Sequence, residues 1–175
     1  MRYVPLAFIA ALLAGVAVAA SSPAGLDALS AYAGTWQTEI EHLNTPYSAA
    51  GKEIAMLRND CWRSADFYAC HQYVNGKSAA LLVFSYDARR KRYRSCAIPA
   101  GSGQGGPCGE VMIRGNVWMF PWQVTANGKT TYFRVINVWT SPDSIDYRQE
   151  FSVDRIHWTL MAKGREQRTS GRKHL

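Results

Sequence analysis

The sequence predicts an all-β protein: an antiparallel up-and-down meander of about ten strands, closed into a barrel, after a short N-terminal helical turn. Between Gly34 and Arg168, apolar and polar residues alternate with the period of two that half-buried strands show. Short turn signals separate these segments, and helical periodicity is almost absent. Because a long meander leaves two unpaired edges, we expect its first and last strands to pair with each other.

The chain begins with a pattern typical of a secretory signal peptide. Arg2 supplies the positive start, residues 6–18 are mostly apolar, and small residues end at Ala20. The apolar run is short for a membrane span, so an uncleaved anchor is the less favoured alternative. We predict a signal peptide at 1–20, a flexible leader at 21–28, a barrel at 29–168 and a basic disordered tail at 169–175. The protein is therefore expected to be exported, to the periplasm or outside the cell.

The first strand is the best-defined element of the predicted barrel. A short helical turn precedes Gly34, which allows a tight entry into the strand. Trp36, Thr38 and Ile40 then share one face, and the alternate positions are polar. We expect the inward face to carry these three residues, with Trp36 closing one end of the barrel.

The remaining strands are delimited by turn residues. Asn75-Gly76, Gly115-Asn116 and Asn127-Gly128 tolerate the positive φ of hairpin turns, Pro142 suits the second position of a turn, and Asp154-Arg155 can close the last hairpin. The ten predicted strands are Gly34–Leu43, Lys52–Arg63, Phe67–Val74, Ala79–Tyr86, Lys91–Ile98, Glu110–Arg114, Val117–Thr125, Thr130–Thr140, Ile145–Val153 and Ile156–Arg168.

Strand parity predicts an interior rich in aromatic residues. On the last strand, the face of Trp158 and Leu160 also includes Gly164, Glu166 and Arg168. An aromatic interior is either a packed core or the wall of a ligand pocket, and parity does not separate the two. The candidate ligand-binding residues are those that parity places inside: Trp118, Phe120, Trp122, Tyr147 and Trp158.

Four cysteines in an exported chain indicate two disulfides. A turn at Ala65-Asp66 would place Cys61 opposite Cys70, and Cys96 and Cys108 flank a glycine-rich stretch. We therefore expect the pairs 61–70 and 96–108, although four cysteines allow three connectivities. The spacings do not favour zinc, because no close Cys-x-x-Cys is present.

The Gly34-Thr35-Trp36 motif after a helical turn resembles the first-strand signature of the lipocalin-like (calycin) superfamily. The segments at 84–87 and 151–154 also look like those of small exported bacterial calycin-like domains of unknown function. The resemblance implies a barrel that binds small apolar molecules. It also implies that an arginine on the final strand packs over Trp36, and Arg168 is the matching candidate.

The formal net charge of +7 is concentrated in the predicted hairpin at 89–94 and in the C-terminal end. A solvated hairpin tip is the favoured interpretation, with weak contact to an anionic membrane as the alternative. No nucleic-acid partner is expected, because no nucleic-acid-binding motif accompanies the charge. The sequence makes no prediction of the oligomeric state.

No enzymatic chemistry is predicted, and no cofactor or metal is expected. One calycin branch, the nitrobindins, binds haem through a histidine near the C-terminal end, which makes His157 the positional candidate and His42 a second one. Parity points His157 outward. Residues 101–106 match G-x-G-x-x-G, but a strand rather than a helix is predicted to follow, which argues against a dinucleotide site. The leading hypothesis is therefore a barrel that binds a small apolar or amphipathic ligand. The alternative is an envelope or cell-surface interaction module with a solid core and a basic hairpin, and a haem-binding calycin is the least favoured of the three.

Overall fold

A computed structural model describes residues 25–103, 105–106 and 108–170, and it confirms the all-β prediction. A short 3-10 helix at Gly25–Tyr32 precedes the strands. The strands are β1 (Gly34–His42), β2 (Gly51–Arg63), β3 (Phe67–Val74), β4 (Lys77–Asp87), β5 (Arg92–Pro99), β6 (Cys108–Arg114), β7 (Val117–Ala126), β8 (Lys129–Ser141), β9 (Ser144–Ser152) and β10 (Thr159–Ser170).

The ten strands form one closed antiparallel barrel in which each strand pairs with its sequence neighbours. Closure comes from β1, which pairs with β2 on one side and with β10 on the other. Trp36 lies opposite Leu57 of β2 and Arg168 of β10 in this register. Pairing of the first and last strands leaves no strand edge unpaired, as expected for a long meander.

The helix lies at one end of the barrel and contributes to its core. Residues 25–28 belong to the predicted flexible leader, but here they form the first half of the helix, and Leu26 and Ala28 are buried with Leu29. The phenol of Tyr93 donates a hydrogen bond to the carbonyl of Gly25 at 2.9 Å. Burial of these small apolar side chains stabilises a segment whose composition alone suggested mobility.

Other predicted boundaries fall partly outside the described residues. The predicted signal peptide and residues 171–175 of the predicted tail lie outside them, whereas residues 169 and 170 belong to β10.

The last hairpin differs from the prediction, because residues 153–158 form a loop instead of a two-residue turn. The Asp154 carboxylate accepts hydrogen bonds from the backbone amides of Ile156 and His157, both at 2.8 Å. Arg155 has a φ of 66°, in the left-handed region. These contacts hold the loop, and β10 begins at Thr159 rather than at Ile156.

A bulge in β10 explains a second difference. The register with β9 shifts between Leu160 and Ala162, so that Met161 and Ala162 are both buried, where strict alternation would bury one. Leu160 pairs with Glu150 on the outer face, and only the residues after the bulge follow the predicted inward parity. The expected inward position of Leu160 is therefore wrong, because one extra residue inverts the alternation for the residues that precede the bulge. The expected inward position of Trp158 is wrong because Trp158 lies in the loop before β10.

Two cysteine pairs are within disulfide distance, and they are the two pairs expected from the sequence. Cys61 of β2 lies opposite Cys70 of β3 with 4.0 Å between their Cα atoms. Cys96 of β5 lies opposite Cys108 of β6 with 4.1 Å between theirs. Cys70 is buried in the core, whereas Cys108 is exposed.

Candidate functional site

The barrel encloses a cavity of about 480 Å³. This volume lies within the range of roughly 300–1,000 Å³ that small-molecule pockets occupy. Its wall is mainly apolar and is built from inward-facing residues of all ten strands together with the end of the helix. The apolar and aromatic side chains of the wall are those of Ile40, Leu57, Leu82, Phe84, Ala97, Phe120, Pro121, Trp122 and Val135.

The close approach of β6 and β7 shapes one side of this wall. Gly109 lines the cavity, and a Cβ atom at its position would lie only 2.1 Å from the carbonyl oxygen of Pro121. Only glycine permits this approach of the two backbones. Pro121 has no amide hydrogen to donate to a neighbouring strand. The pairing of β6 with β7 stops before it and runs only from Arg114 to Met112.

The structure separates the five predicted ligand-binding residues into three groups. Phe120, Trp122 and Tyr147 line the cavity. Trp118 is buried in the core cluster at the helix end, where its ring lies 5.2 Å from that of Tyr32.

Trp158 lies outside the barrel rather than on the wall of the cavity. Its ring is covered by the guanidinium of Arg134, 3.8 Å from the ring centroid, and its indole nitrogen donates to the carbonyl of Arg155. The position of Trp158 follows from the loop that precedes β10. By contrast, the parity of β7 and β9 correctly led to Phe120, Trp122 and Tyr147, which line the cavity.

The helix end of the barrel is closed by aromatic residues around Trp36. Only 1% of Trp36 is exposed, and its indole nitrogen donates to the carbonyl of Tyr32 at 3.1 Å. Trp139 packs edge-on against Trp36, with 5.7 Å between the ring centroids. Gly34, which precedes this plug, has a φ of 110°, a conformation that L side chains rarely adopt.

The Arg168 guanidinium lies over the Trp36 ring, 4.0 Å from its centroid. It also donates to the carbonyls of Ala31 and Ala33 and to the carboxylate of Asp143. Only 4% of the Arg168 side chain is exposed. The cation therefore ties the helix, the β8–β9 turn and the plug together at this end.

The opposite end of the barrel carries a second aromatic group that the sequence patterns did not reveal. Tyr47, in the loop between β1 and β2, packs edge-on against Phe133 and Phe151, with centroids 5.2 and 4.8 Å away. Its hydroxyl lies 3.0 Å from the Thr131 hydroxyl. Phe133 in turn stacks on the cavity-lining Trp122, 5.4 Å between centroids. We call Tyr47, Trp122, Phe133 and Phe151 the mouth aromatics.

A chain of polar side chains crosses the cavity wall. Gln72 donates to Asn59 at 3.3 Å, and Asn59 donates to the backbone carbonyl of Tyr32 at 3.1 Å. The amide nitrogen of Asn137 donates to the Tyr32 hydroxyl at 2.8 Å. Asn137 is only 6% exposed, and its carbonyl oxygen Oδ1 has no hydrogen-bond partner among the residues that the structure describes. A buried amide oxygen without a donor is unusual and costly.

Glu166 is the one acidic residue of the cavity wall within the described ranges. It stands between Thr38 of β1 and Ile145 of β9, both of them fully buried. Burial raises the pKa of its carboxyl to about 7. No hydrogen bond or ion pair engages this carboxyl among residues 25–103, 105–106 and 108–170.

The pKa values of two tyrosines that line the cavity are also raised by burial. Burial raises the pKa of Tyr147, and the negative charge of Glu166 raises it further. Burial also raises the pKa of Tyr32, against the hydrogen bond from Asn137, and Glu166 again adds to the increase. The charge of Glu166 therefore acts on two of the tyrosines that line the cavity.

The histidines considered as haem ligands do not line the cavity. The ring of His157 contacts Asp154 at 2.7 Å in the outer loop, and 86% of its side chain is exposed. His42 lies 3.4 Å from Glu53 near the end of β1. In the part of the chain that the structure describes, no group of three or more His, Cys, Asp or Glu side chains is arranged to hold a metal ion. After the glycine-rich residues 101–106, β6 follows, so no helix N-terminus faces that loop.

Fold and cavity together define the class of this protein: a closed ten-stranded antiparallel barrel, lipocalin-like in general architecture, with an apolar cavity inside. No protein-family profile matches the chain, and no curated protein matches it in sequence. Within residues 25–103, 105–106 and 108–170, no helix is both long and apolar enough to span a membrane.

Proposed function

We propose that this protein is an exported, non-catalytic barrel that binds a small apolar or amphipathic ligand in its central cavity. The observation that carries the proposal is the cavity of about 480 Å³. A structural module with a solid core would fill this space with its own side chains, because protein interiors are close-packed. Here one end is plugged by Trp36 and Arg168, while the middle of the barrel stays open.

The chemistry of the wall supports an apolar or amphipathic ligand. Phe120, Trp122 and Val135 offer aromatic and aliphatic surface, and a few polar groups stand among them. Ligand pockets commonly combine such a surface with a small number of polar groups that orient the ligand. Membership of the calycin superfamily is part of the proposal, supported by the barrel, by the plug at Trp36 and by the Arg168 contact.

Export is the second part of the proposal. Two cysteine pairs at disulfide distance are consistent with an oxidising compartment, such as the periplasm or the extracellular space. The signal-peptide pattern of residues 1–20 supports the same location.

A titration that follows tryptophan fluorescence tests ligand binding. The panel contains medium-chain fatty acids, alcohols and amines, together with uncharged aromatic probes. We expect saturable changes with at least one class, and we expect Val135→Trp to abolish them by filling the cavity. Ile54→Trp is the matched control, because Ile54 is 67% exposed and lies outside the cavity wall. Absence of binding across the panel, or equal binding by Val135→Trp, would contradict the proposal.

Weak contact of the basic hairpin at 89–94 with an anionic membrane is a second candidate activity. Two of its cations are already paired, since Arg90 lies 3.3 Å from Asp87 and Arg92 lies 2.9 Å from Glu110. The remaining exposed cations favour anionic lipid at low ionic strength. Charge reversal at Arg89 and Arg94 is expected to reduce co-sedimentation with vesicles of phosphatidylglycerol, and unchanged sedimentation would exclude this activity.

A further inference from the structure

Two hydrogen-bond acceptors of cavity-lining residues have no partner in the part of the chain that the structure describes. One is the Glu166 carboxyl, and the other is the Oδ1 atom of Asn137. Asn137 lies beside the Tyr32 hydroxyl, to which its amide nitrogen donates at 2.8 Å. In the sheet, Asn137 pairs with Tyr147 of β9, and Glu166 pairs with Ile145, two residues away on the same face of that strand. The two unpaired acceptors therefore belong to neighbouring positions of one cavity wall.

Acceptors without donors constrain the chemistry of the ligand. A buried carboxylate is stabilised by a cation that can also donate hydrogen bonds. A hydroxyl ligand has one donor and no charge, so it satisfies at most one acceptor. A ligand carboxylate would add a second negative charge to the cavity and would be repelled. An ammonium group has three donors and a positive charge, and it matches both acceptors.

The rest of the cavity suits the remainder of such a ligand. The aromatic rings of Phe120, Trp122 and Tyr147 line the same space and can contact a cation or an apolar body. Among the residues that the structure describes, no cation is paired with the Glu166 carboxyl. On β10 itself, Arg168 faces the same side, but its donors are taken by Asp143 and by the carbonyls of Ala31 and Ala33.

We propose that the cavity binds a small amphipathic amine, whose ammonium group pairs with Glu166 and Asn137 and whose apolar body lies against the aromatic wall. This proposal names the ligand class of the proposed function and rests on it. Glu166 is then a specificity-determining residue, because it distinguishes an amine from a neutral or acidic ligand of the same length.

The test compares octylamine, octanol and octanoate, which share a chain and differ in head group. Binding is measured by isothermal titration calorimetry at pH 8, where the carboxyl is ionised and the amine still carries its proton. We expect octylamine to bind at least tenfold more tightly than octanol, and octanoate to bind most weakly. Equal or tighter binding of octanol would overturn the proposal.

Two variants test whether Glu166 is the source of the preference for octylamine over octanol. Glu166→Gln keeps the size of the side chain and removes the charge, so we expect octylamine and octanol to bind it equally. Glu39→Gln is the matched control, because Glu39 is exposed on the neighbouring strand and we expect the preference to remain. A preference for amine that survives in Glu166→Gln would overturn the proposal.

A pH series on the unaltered protein gives an independent readout. The charged and titratable groups around Glu166 include Tyr32 of the helix, Tyr147 of β9 and Arg168 of β10, and the paired β1 residue is Thr38. The charge of Glu53 on β2, which is paired with His42 of β1 at 3.4 Å, also acts on Tyr147. The two tyrosines do not titrate between pH 5 and 8, since their pKa values are raised. We expect octylamine affinity to fall about tenfold per pH unit well below pH 7, with octanol affinity unchanged. A flat octylamine profile would contradict the proposal.

The outcomes also separate this inference from the proposed function. If octanol or an uncharged aromatic probe binds and octylamine shows no advantage, the cavity is a ligand site and the amine proposal fails. If no compound of either panel binds, the proposed function fails and the amine proposal fails with it.

Discussion

The Glu166 carboxyl is buried in the barrel and has no partner among the residues that the structure describes. Its burial makes the stability of the fold depend on pH. Burial raises the pKa of its carboxyl from 4.5 to about 7. An acid with a raised pKa in the folded state binds its proton more tightly there than in the unfolded chain. The free energy of unfolding therefore falls as the pH rises from about 4.5 to about 7, and it levels off above.

We predict that Glu166→Gln is more stable than the unaltered protein above pH 7, by up to about 3 kcal/mol, because it removes the buried charge. The difference should vanish below about pH 4.5, where both states of the unaltered protein are protonated. Urea denaturation across this pH range measures it, with Glu39→Gln as an exposed control. A difference that is independent of pH would show that Glu166 is not the titrating group.

Arg168 illustrates the opposite case, a buried cation with a full set of partners. We predict that Arg168→Ala lowers the free energy of unfolding by roughly 3–5 kcal/mol, because it uncovers Trp36 and leaves the Ala31 and Ala33 carbonyls unpaired. Arg165→Ala, three residues earlier, removes an exposed pair with Asp146 and should cost less than about 1 kcal/mol. Equal losses for the two variants, measured by urea denaturation, would contradict the role of Arg168 at the plug.

Among the elements of the barrel, the loop between β1 and β2 carries the residue best placed to control access to the cavity. Thr45 and Ser48 hold this loop by backbone hydrogen bonds and by their hydroxyls, 2.8 Å apart. The loop presents Tyr47 to Phe133 and Phe151, which belong to β8 and β9. The Tyr47 side chain thus reaches past β10 to the ends of β9 and β8 at the mouth of the barrel.

We predict that Tyr47→Ala raises the dissociation rate of a bound ligand several-fold, because it removes the ring that contacts the other mouth aromatics. Tyr47→Phe keeps the ring and loses only the Thr131 contact, so its rate should stay near that of the unaltered protein. Stopped-flow displacement of a bound fluorescent probe measures both rates. Identical rates for all three proteins would exclude a gating role for Tyr47.

In the whole molecule, the barrel depends on one closure between β1 and β10. One cysteine pair joins β2 to β3, next to β1, and the other joins β5 to β6, on the side away from the closure. Each disulfide closes a short segment of the chain, so each stabilises the fold by on the order of 3 kcal/mol through the unfolded state. The pairs differ in environment, because Cys70 is buried among core residues and Cys108 is exposed.

We predict that a mild reductant opens Cys96–Cys108 first and Cys61–Cys70 only when the barrel unfolds, because thiol exchange requires access to the sulfur atoms. Alkylation of the released thiols followed by mass spectrometry measures the order. Simultaneous release of all four thiols, or early release of Cys61 and Cys70, would contradict the assignment of one exposed and one enclosed pair.

Local patterns were sufficient for the ten strands and for most of the turns between them, and the closed fold followed from the cost of unpaired edges. The period of two in β1, β7 and β9 reports directly which side chains share a face, and residues such as Asn75-Gly76 mark the turns chemically. The same parity placed Phe120, Trp122 and Tyr147 on the cavity wall. These features depend on neighbours a few residues apart, and a sequence records such neighbours.

The remaining features depend on contacts between distant parts of the chain, and only the tertiary structure decided them. The loop at 153–158 placed Trp158 outside the barrel, and one extra residue at Met161 turned Leu160 to the outer face. Burial against other strands turned residues 25–28 into a helix. Parity placed Glu166 on the inward face, but the lack of a partner for its carboxyl depends on which side chains the other strands bring to the cavity. The open interior likewise results from how all the inward side chains fill the space together, and no single segment of the sequence determines that volume.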